Sequence, residues 1–160
     1  DFIFTTCPTI CPKMTYHMAQ VAQELEKHDN VYFLSHTINP EHDTPEVLKE
    51  YADHFGNKYG LDMSRWNFVT GNKDSIYKIA TSYLTIAGEG NDEAHADFGL
   101  VHGGDFILID HKGRIRSGWD NSGNVIGSYD GTSAQSIKEL IVDVGVLVKE
   151  LKRKEKDNEK

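Results

Sequence analysis

Residues 31–38, VYFLSHTI, constrain the fold more than any other stretch of this chain. They are apolar enough to be buried on both faces, as the central strands of a parallel sheet are. Such a strand has no wet side, so helices have to cover it above and below. The flanking sequence supplies them. Upstream, Met14, Met18, Val21 and Leu25 recur at helical spacing, and residues 13–28 read as an amphipathic helix. Downstream, Thr44 and Pro45 suit the N-cap and first position of a second helix. Val47, Leu48, Tyr51 and Phe55 give that helix its buried face, and Gly56 is positioned to end it. Residues 2–5 form a first strand and residues 66–69 a third. Asn72 then caps a helix that turns Ile76, Ile79, Ala80 and Tyr83 inward. This alternation implies a largely parallel sheet.

The second half changes rhythm. Residues 87–100 (AGEGNDEAHADFGL) read as a long polar loop, and loops of that length in compact domains tend to be functional. Val101-His102-Gly103-Gly104 follows, then a strand over 105–110. His111-Lys112-Gly113 forms a turn, and residues 114–119 return as an antiparallel partner. Residues 120–130 are rich in Gly and Asn and read as a loop, with a small hairpin through Val125 and Ile126. Thr132 and Gln135 match a capping box. They precede a last helix with Ile137, Leu140, Ile141, Val144, Val148 and Leu151 on one stripe. The order strand, helix, strand, helix, strand, helix, hairpin, helix resembles the thioredoxin-like α/β arrangement, a central mixed β-sheet flanked by helices.

The length of 160 residues suits one domain with a real core. We expect residues 1–153 to form it and residues 154–160 to be a charged tail. The net charge is −8, while residues 149–160 carry +2, so the remainder carries −10. That balance argues against a nucleic-acid surface. No apolar run approaches the roughly 18 residues of a membrane span, and no signal-peptide pattern is present. The chain begins inside a strand, so the expectation is that residues are missing upstream, a targeting segment or membrane anchor among them.

The first strand runs straight into Cys7-Pro8-Thr9-Ile10-Cys11-Pro12, which contains both cysteines of the chain. At a spacing of four on a helical turn their Cα atoms lie roughly 6 Å apart. That is within disulfide reach, and it lets two sulfurs converge on one soft metal ion. A structural staple is the weaker reading: so short a loop removes little chain entropy, and a chain of this size needs none. Pro12 suits the first helical position, which puts Cys11 near the N-cap, where the dipole end favours a thiolate. The carboxyl ends of parallel strands also form the natural crevice for a site. Met14 and Met18 fit the core better than a thioether metal site. His17 and His28 are expected on the polar face, His36 in the core or at an edge, and His111 in a turn. His95, seven residues before His102, is an additional ligand only if the loop between them folds back.

Thioredoxin-type oxidoreductases carry Cys-x-x-Cys and a cis-proline just before the penultimate strand. Here three residues separate the cysteines, and the only prolines are Pro8, Pro12, Pro40 and Pro45. His102 stands where that proline belongs, followed by two glycines that allow close backbone approach. These features resemble the Sco/SenC family, the copper-binding proteins of cytochrome c oxidase assembly. The matching segments are Cys7-Pro-Thr-Ile-Cys11-Pro12, Asn39-Pro-Glu-His-Asp-Thr-Pro45 and His102 before Phe106-Ile-Leu-Ile-Asp110. Gly113-Arg-Ile-Arg116 and Tyr129-Asp-Gly-Thr132 extend the match.

The resemblance implies a thioredoxin-like fold lacking its N-terminal part, and copper, Cu(I) or Cu(II), on Cys7, Cys11 and His102. It implies a metallochaperone that delivers copper to the dinuclear site of cytochrome c oxidase. Its partners would be the copper-site subunit and other copper chaperones or thiol reductants. It would work on the extracytoplasmic face of a membrane, held there by an anchor. The alternative is a thiol–disulfide reductase that uses Cys7 and Cys11 on the oxidase's cysteines. A peroxidase fits less well, since no arginine lies near the cysteines in sequence. The chain departs from the family pattern in three places. Asn39 replaces a frequent aspartate, Val101-His102-Gly103 replaces Asp-His-Ser, and residues 120–128 look like an extra loop.

Overall fold

The computed structural model describes residues 1–83, 87–89, 100–116, 118–119, 121–123 and 125–158. The first half alternates as expected: β1 (Phe2–Ile3), α1 (Ile10–Glu24), β2 (Phe33–Thr37), α2 (Pro45–Tyr59), β3 (Trp66–Val69) and α3 (Lys73–Ser82). The three strands form a parallel sheet with β2 in the middle. Phe2 pairs with His36 on one side, and Phe33 with Trp66 on the other. The second half is antiparallel: β4 (Ala87–Glu89), β5 (Leu100–His102), β6 (Asp105–Phe106), β7 (Leu108–Ile109), β8 (Ile115–Arg116), β9 (Gly118–Trp119), β10 (Val125–Ile126) and β11 (Tyr129–Asp130). It closes with α4 (Ala134–Asn158), which takes in residues 154–158 of the expected tail. Among the described residues the expected central mixed sheet is thus a three-stranded parallel sheet accompanied by two-stranded antiparallel ladders.

Several local expectations are corrected. The central strand is not buried on both faces: Ser35 and Thr37 are fully buried, but Leu34 is 45% exposed. Leu34 borders an apolar cavity of about 390 Å³ whose lining includes Phe2, Phe106, Leu108, Val144 and Val148. Helix α1 starts two residues ahead of Pro12, with Thr9 as its N-cap. Proline is tolerated there because the first-turn amides have no intrahelical acceptor. Gly56 does not end α2. It lies inside the helix, where a Cβ would stand 2.7 Å from Met63 Cγ. Gly60, at φ 64°, supplies the left-handed C-cap instead. The capping box at Thr132 is not formed either. Ser133 accepts from the Ser136 amide, and the Thr132 hydroxyl donates to Asp130. The caps at Thr44 and Asn72 are present, accepting from the Val47 and Ser75 amides.

The long polar loop is strand at both ends. Ala87 pairs with His102 and Glu89 with Leu100, so the segment carrying the histidine is held in a ladder. The strand expected over 105–110 divides in two: β6 pairs with β11, and β7 with β8. The small hairpin through Val125 and Ile126 is present as β10 against β9. Tyr129, read as loop, is fully buried, and its hydroxyl donates to Asp143 of α4.

Two apolar clusters make up the core. One joins Met14, Met18 and Leu25 of the α1 segment to Phe106, Tyr129 and the inner stripe of α4. The other holds Phe2, Ile3, Phe4, Ile38, Ile76 and Ala80 around Cys7 and Cys11. Fully burying each large apolar side chain contributes about 1.5–3 kcal/mol. The cysteine turn is therefore built into the core.

Candidate metal centre

Cys7 lies past the end of β1, Cys11 in the first turn of α1, and His102 at the end of β5. Their relative exposures are 7%, 1% and 9%. Although 91 residues separate them in sequence, Cys11 Sγ and His102 Nε2 are 2.9 Å apart. One donor atom from each of the three residues falls within 4.8 Å of the others. Three donors at 2.0–2.3 Å from a common ion would stand roughly 3.5–4 Å apart. Two sulfurs and an imidazole converging at this spacing can hold a soft or borderline metal ion.

The histidine ring is oriented by the carbonyl of the residue that follows it. Its Nδ1 lies 2.9 Å from the Gly103 carbonyl oxygen, which can only accept, so Nδ1 carries the hydrogen. Nε2 faces the sulfurs. Phe4 abuts the ring edge-on at 5.6 Å between centroids. The loop beyond His102 is held from the other side, where the Gly131 amide donates to the Gly104 carbonyl at 2.7 Å. A Cβ on Gly131 would lie 2.7 Å from that same oxygen and 2.9 Å from the Phe106 ring. His17 of α1 donates from Nδ1 to the Gly131 carbonyl at 2.7 Å, tying the cysteine helix to the histidine loop. His17 is therefore buried, not on the polar face as its helical position suggested.

The two thiols are unequal. The Cys11 thiol beside it holds Cys7 far below the ordinary thiol range, with His102 and the Thr9 and Cys11 backbone adding to the effect against burial. Cys11 is shifted upward, first by hydrogen bonding to Cys7 and then by burial. So the pair shares one proton: Cys7 is the thiolate and Cys11 keeps its hydrogen. This reverses the expectation that the helix end would ionise Cys11. Cys11 is almost fully enclosed, whereas Cys7 Sγ also meets the Thr9 hydroxyl at 3.6 Å.

The other candidates fall elsewhere. Met14 and Met18 are core. His28 is half-buried, His36 stacks on Phe2, and His111 is exposed in a turn. His95 lies outside the described residues. Sequence reasoning missed the part played by Asp43, which is fully buried and accepts hydrogen bonds from Thr5, Thr37 and His42. An acidic residue between two turn prolines gives little sign that it will be enclosed.

Comparison with known proteins agrees with this architecture. The SCO1 protein homolog of Bacillus subtilis is 32% identical over 149 residues, covering 90% of this chain and 67% of that protein. A SCO2-like protein of Rickettsia felis is 34% identical over 116 residues, 71% of this chain, and the match spans about half (53%) of its length. The crystal structure of a SCO1/SenC family lipoprotein from Bacillus anthracis superposes with a TM-score of 0.71 at 29% identity, covering 92% of this chain and 78% of that one. BsSco, described as a member of the Sco family of cytochrome c oxidase assembly proteins with a disulfide switch, gives 0.67 at 29% identity, covering 92% and 77%. Copper-bound ScoI from Bradyrhizobium japonicum shares the fold at 0.65 and 22% identity, covering 91% and 81%. The family model for SCO1/SenC matches residues 1–135, the span that holds the cysteine turn, the sheet and His102. The chain is a thioredoxin-like member of the SCO1/SenC family.

Proposed function

We propose that this protein binds copper through Cys7, Cys11 and His102 and delivers it, as a metallochaperone, to the dinuclear copper site of cytochrome c oxidase. The convergence of those three donors carries the reading. Two thiolates suit Cu(I), and the imidazole nitrogen adds what Cu(II) prefers. The copper-bound relative and the relative named for oxidase assembly support the cargo and the destination. The receiving partner is then the copper-site subunit, with other copper chaperones or thiol reductants upstream. An extracytoplasmic setting, with a membrane anchor, is supported by the lipoprotein relative. No helix among the described residues is long and apolar enough to cross a membrane.

A second reading rests on the asymmetry of the thiols. A Cys7 thiolate can attack a target disulfide and expel one target thiolate. Cys11 then attacks the mixed disulfide and releases the second. The target gains two electrons, one proton from Cys11 and one from solvent, and Cys7–Cys11 becomes the disulfide. Such a reductase has no use for a free Nε2.

Anaerobic titration of the reduced protein, followed by the Cu(II) absorption spectrum, separates the two. One copper per chain is expected, lost when Cys7 and Cys11 are both replaced by serine. His102→Ala should largely spare Cu(I) and weaken Cu(II) by roughly 10- to 100-fold. A parental Cu(II) spectrum and affinity in that variant would favour the reductase.

A further inference from the structure

The carboxylate of Asp43 is fully enclosed, and each of its oxygens takes two hydrogen bonds. Oδ1 accepts from the Thr5 hydroxyl at 2.5 Å and from His42 Nδ1 at 2.9 Å. Oδ2 accepts from the Thr5 amide at 3.1 Å and from the Thr37 hydroxyl at 2.5 Å. That uses all four lone-pair positions of a carboxylate. Asp43 is itself anchored, its amide donating to the Asn39 carbonyl at 2.8 Å, while Thr37 accepts from the Asn39 amide at 2.9 Å.

Two of the four bonds go to Thr5. The ladder of β1 ends at Ile3, paired with Thr37, and the chain then leaves the sheet. At Thr5 no neighbouring strand takes over the amide, and the Asp43 side chain does. Two residues later the Cys7 amide donates to the Phe4 carbonyl at 3.2 Å and closes the turn. A rigid carboxylate thus grips the turn by backbone and side chain just before the first sulfur.

We propose that Asp43 is a positioning residue for the cysteine turn: through Thr5 it sets where Cys7 Sγ stands relative to Cys11 and His102. It touches neither sulfur through a hydrogen bond. Its effect passes along Thr5-Thr6-Cys7. The spectroscopic half of the test rests on the copper reading above; the thiol half does not.

Three variants separate positioning from general support. Asp43→Asn removes the charge and replaces one accepting oxygen with an NH2 donor, so one pair of the four bonds is lost. Thr5→Val removes only the side-chain arm to the turn. Thr37→Val removes the arm to β2 together with the Asn39 amide's acceptor, and leaves both arms to the cysteine turn in place. Each is compared with the parent in its thiolate-to-Cu(II) absorption band, its Cu(II) affinity, its melting temperature, and the Cys7–Cys11 disulfide equilibrium of the metal-free protein in glutathione buffers. Asp43→Asn and Thr5→Val should move the band, lower Cu(II) affinity about tenfold, and shift the glutathione equilibrium about tenfold towards the disulfide. Thr37→Val should lower the melting temperature and leave the other three unchanged. If Asp43→Asn fails to fold, Thr5→Val decides. A folded Thr5→Val with parental band, affinity and equilibrium overturns the proposal, as does a Thr37→Val that moves them equally. A parent that binds no copper sinks the copper reading, and the glutathione equilibrium then decides on Asp43 alone.

Discussion

At the scale of single residues, the centre depends on which atom holds each hydrogen. The Gly103 carbonyl forces the hydrogen onto His102 Nδ1, and the Cys11 thiol leaves Cys7 ionised. An ordinary thiol loses nucleophilicity tenfold for each pH unit below its pKa. Cys7, held well below the ordinary thiol range, should not. Its alkylation by a small reagent such as iodoacetamide should stay nearly constant from pH 8 to pH 5, while Cys11 reacts slowly throughout. Mass spectrometry of the labelled peptide checks both. A Cys7 rate that falls a hundredfold or more over that range would place the proton on Cys7. Both cysteines and the histidine were legible in sequence, because sulfur pairs are rare and the histidine stands where a proline was expected. Which cysteine ionises was not legible, since it depends first on how the two thiols meet and then on how deeply Cys11 is enclosed.

At the scale of elements, glycine shows where sequence reading stops. A glycine near the end of a helical pattern can serve a left-handed cap or a close contact, and the letter is the same. Gly60 does the first; Gly56, against Met63, does the second. The parallel half was readable because its periodicity is local. The pairings of β4 with β5 and of β6 with β11 involve strands of two or three residues, too short to show a period. Those pairings hold the histidine loop, and Gly131 sits at their contact. Gly131→Ala should clash with the Gly104 carbonyl and the Phe106 ring, costing about 1–3 kcal/mol as overpacking does. Because the loop it pushes carries His102, the Cu(II) spectrum should change along with the melting temperature. A lowered melting temperature with an unchanged spectrum would mean that the loop absorbs the strain without moving the imidazole.

At the scale of the whole molecule, the shared proton of the cysteine pair bears on charge. With Cys7 shifted down and Cys11 shifted up, the buried pair carries one thiolate and one thiol in the neutral range. Cu(I) held by both sulfurs expels the Cys11 hydrogen, and two thiolates with one monovalent cation restore the same total. Loading is then an exchange of one monovalent cation for another, and the core gains no charge that it would have to stabilise. Apo and Cu(I) forms should migrate together in native electrophoresis, and Cu(I) uptake should release one proton per chain, tightening tenfold per pH unit. Cu(II) adds one positive charge and should shift the band. Release of two protons would show that both thiols were protonated beforehand. Under the copper reading, a carrier whose net charge is the same full or empty offers a partner no electrostatic sign of its load, and recognition then falls to contact with the sulfurs themselves.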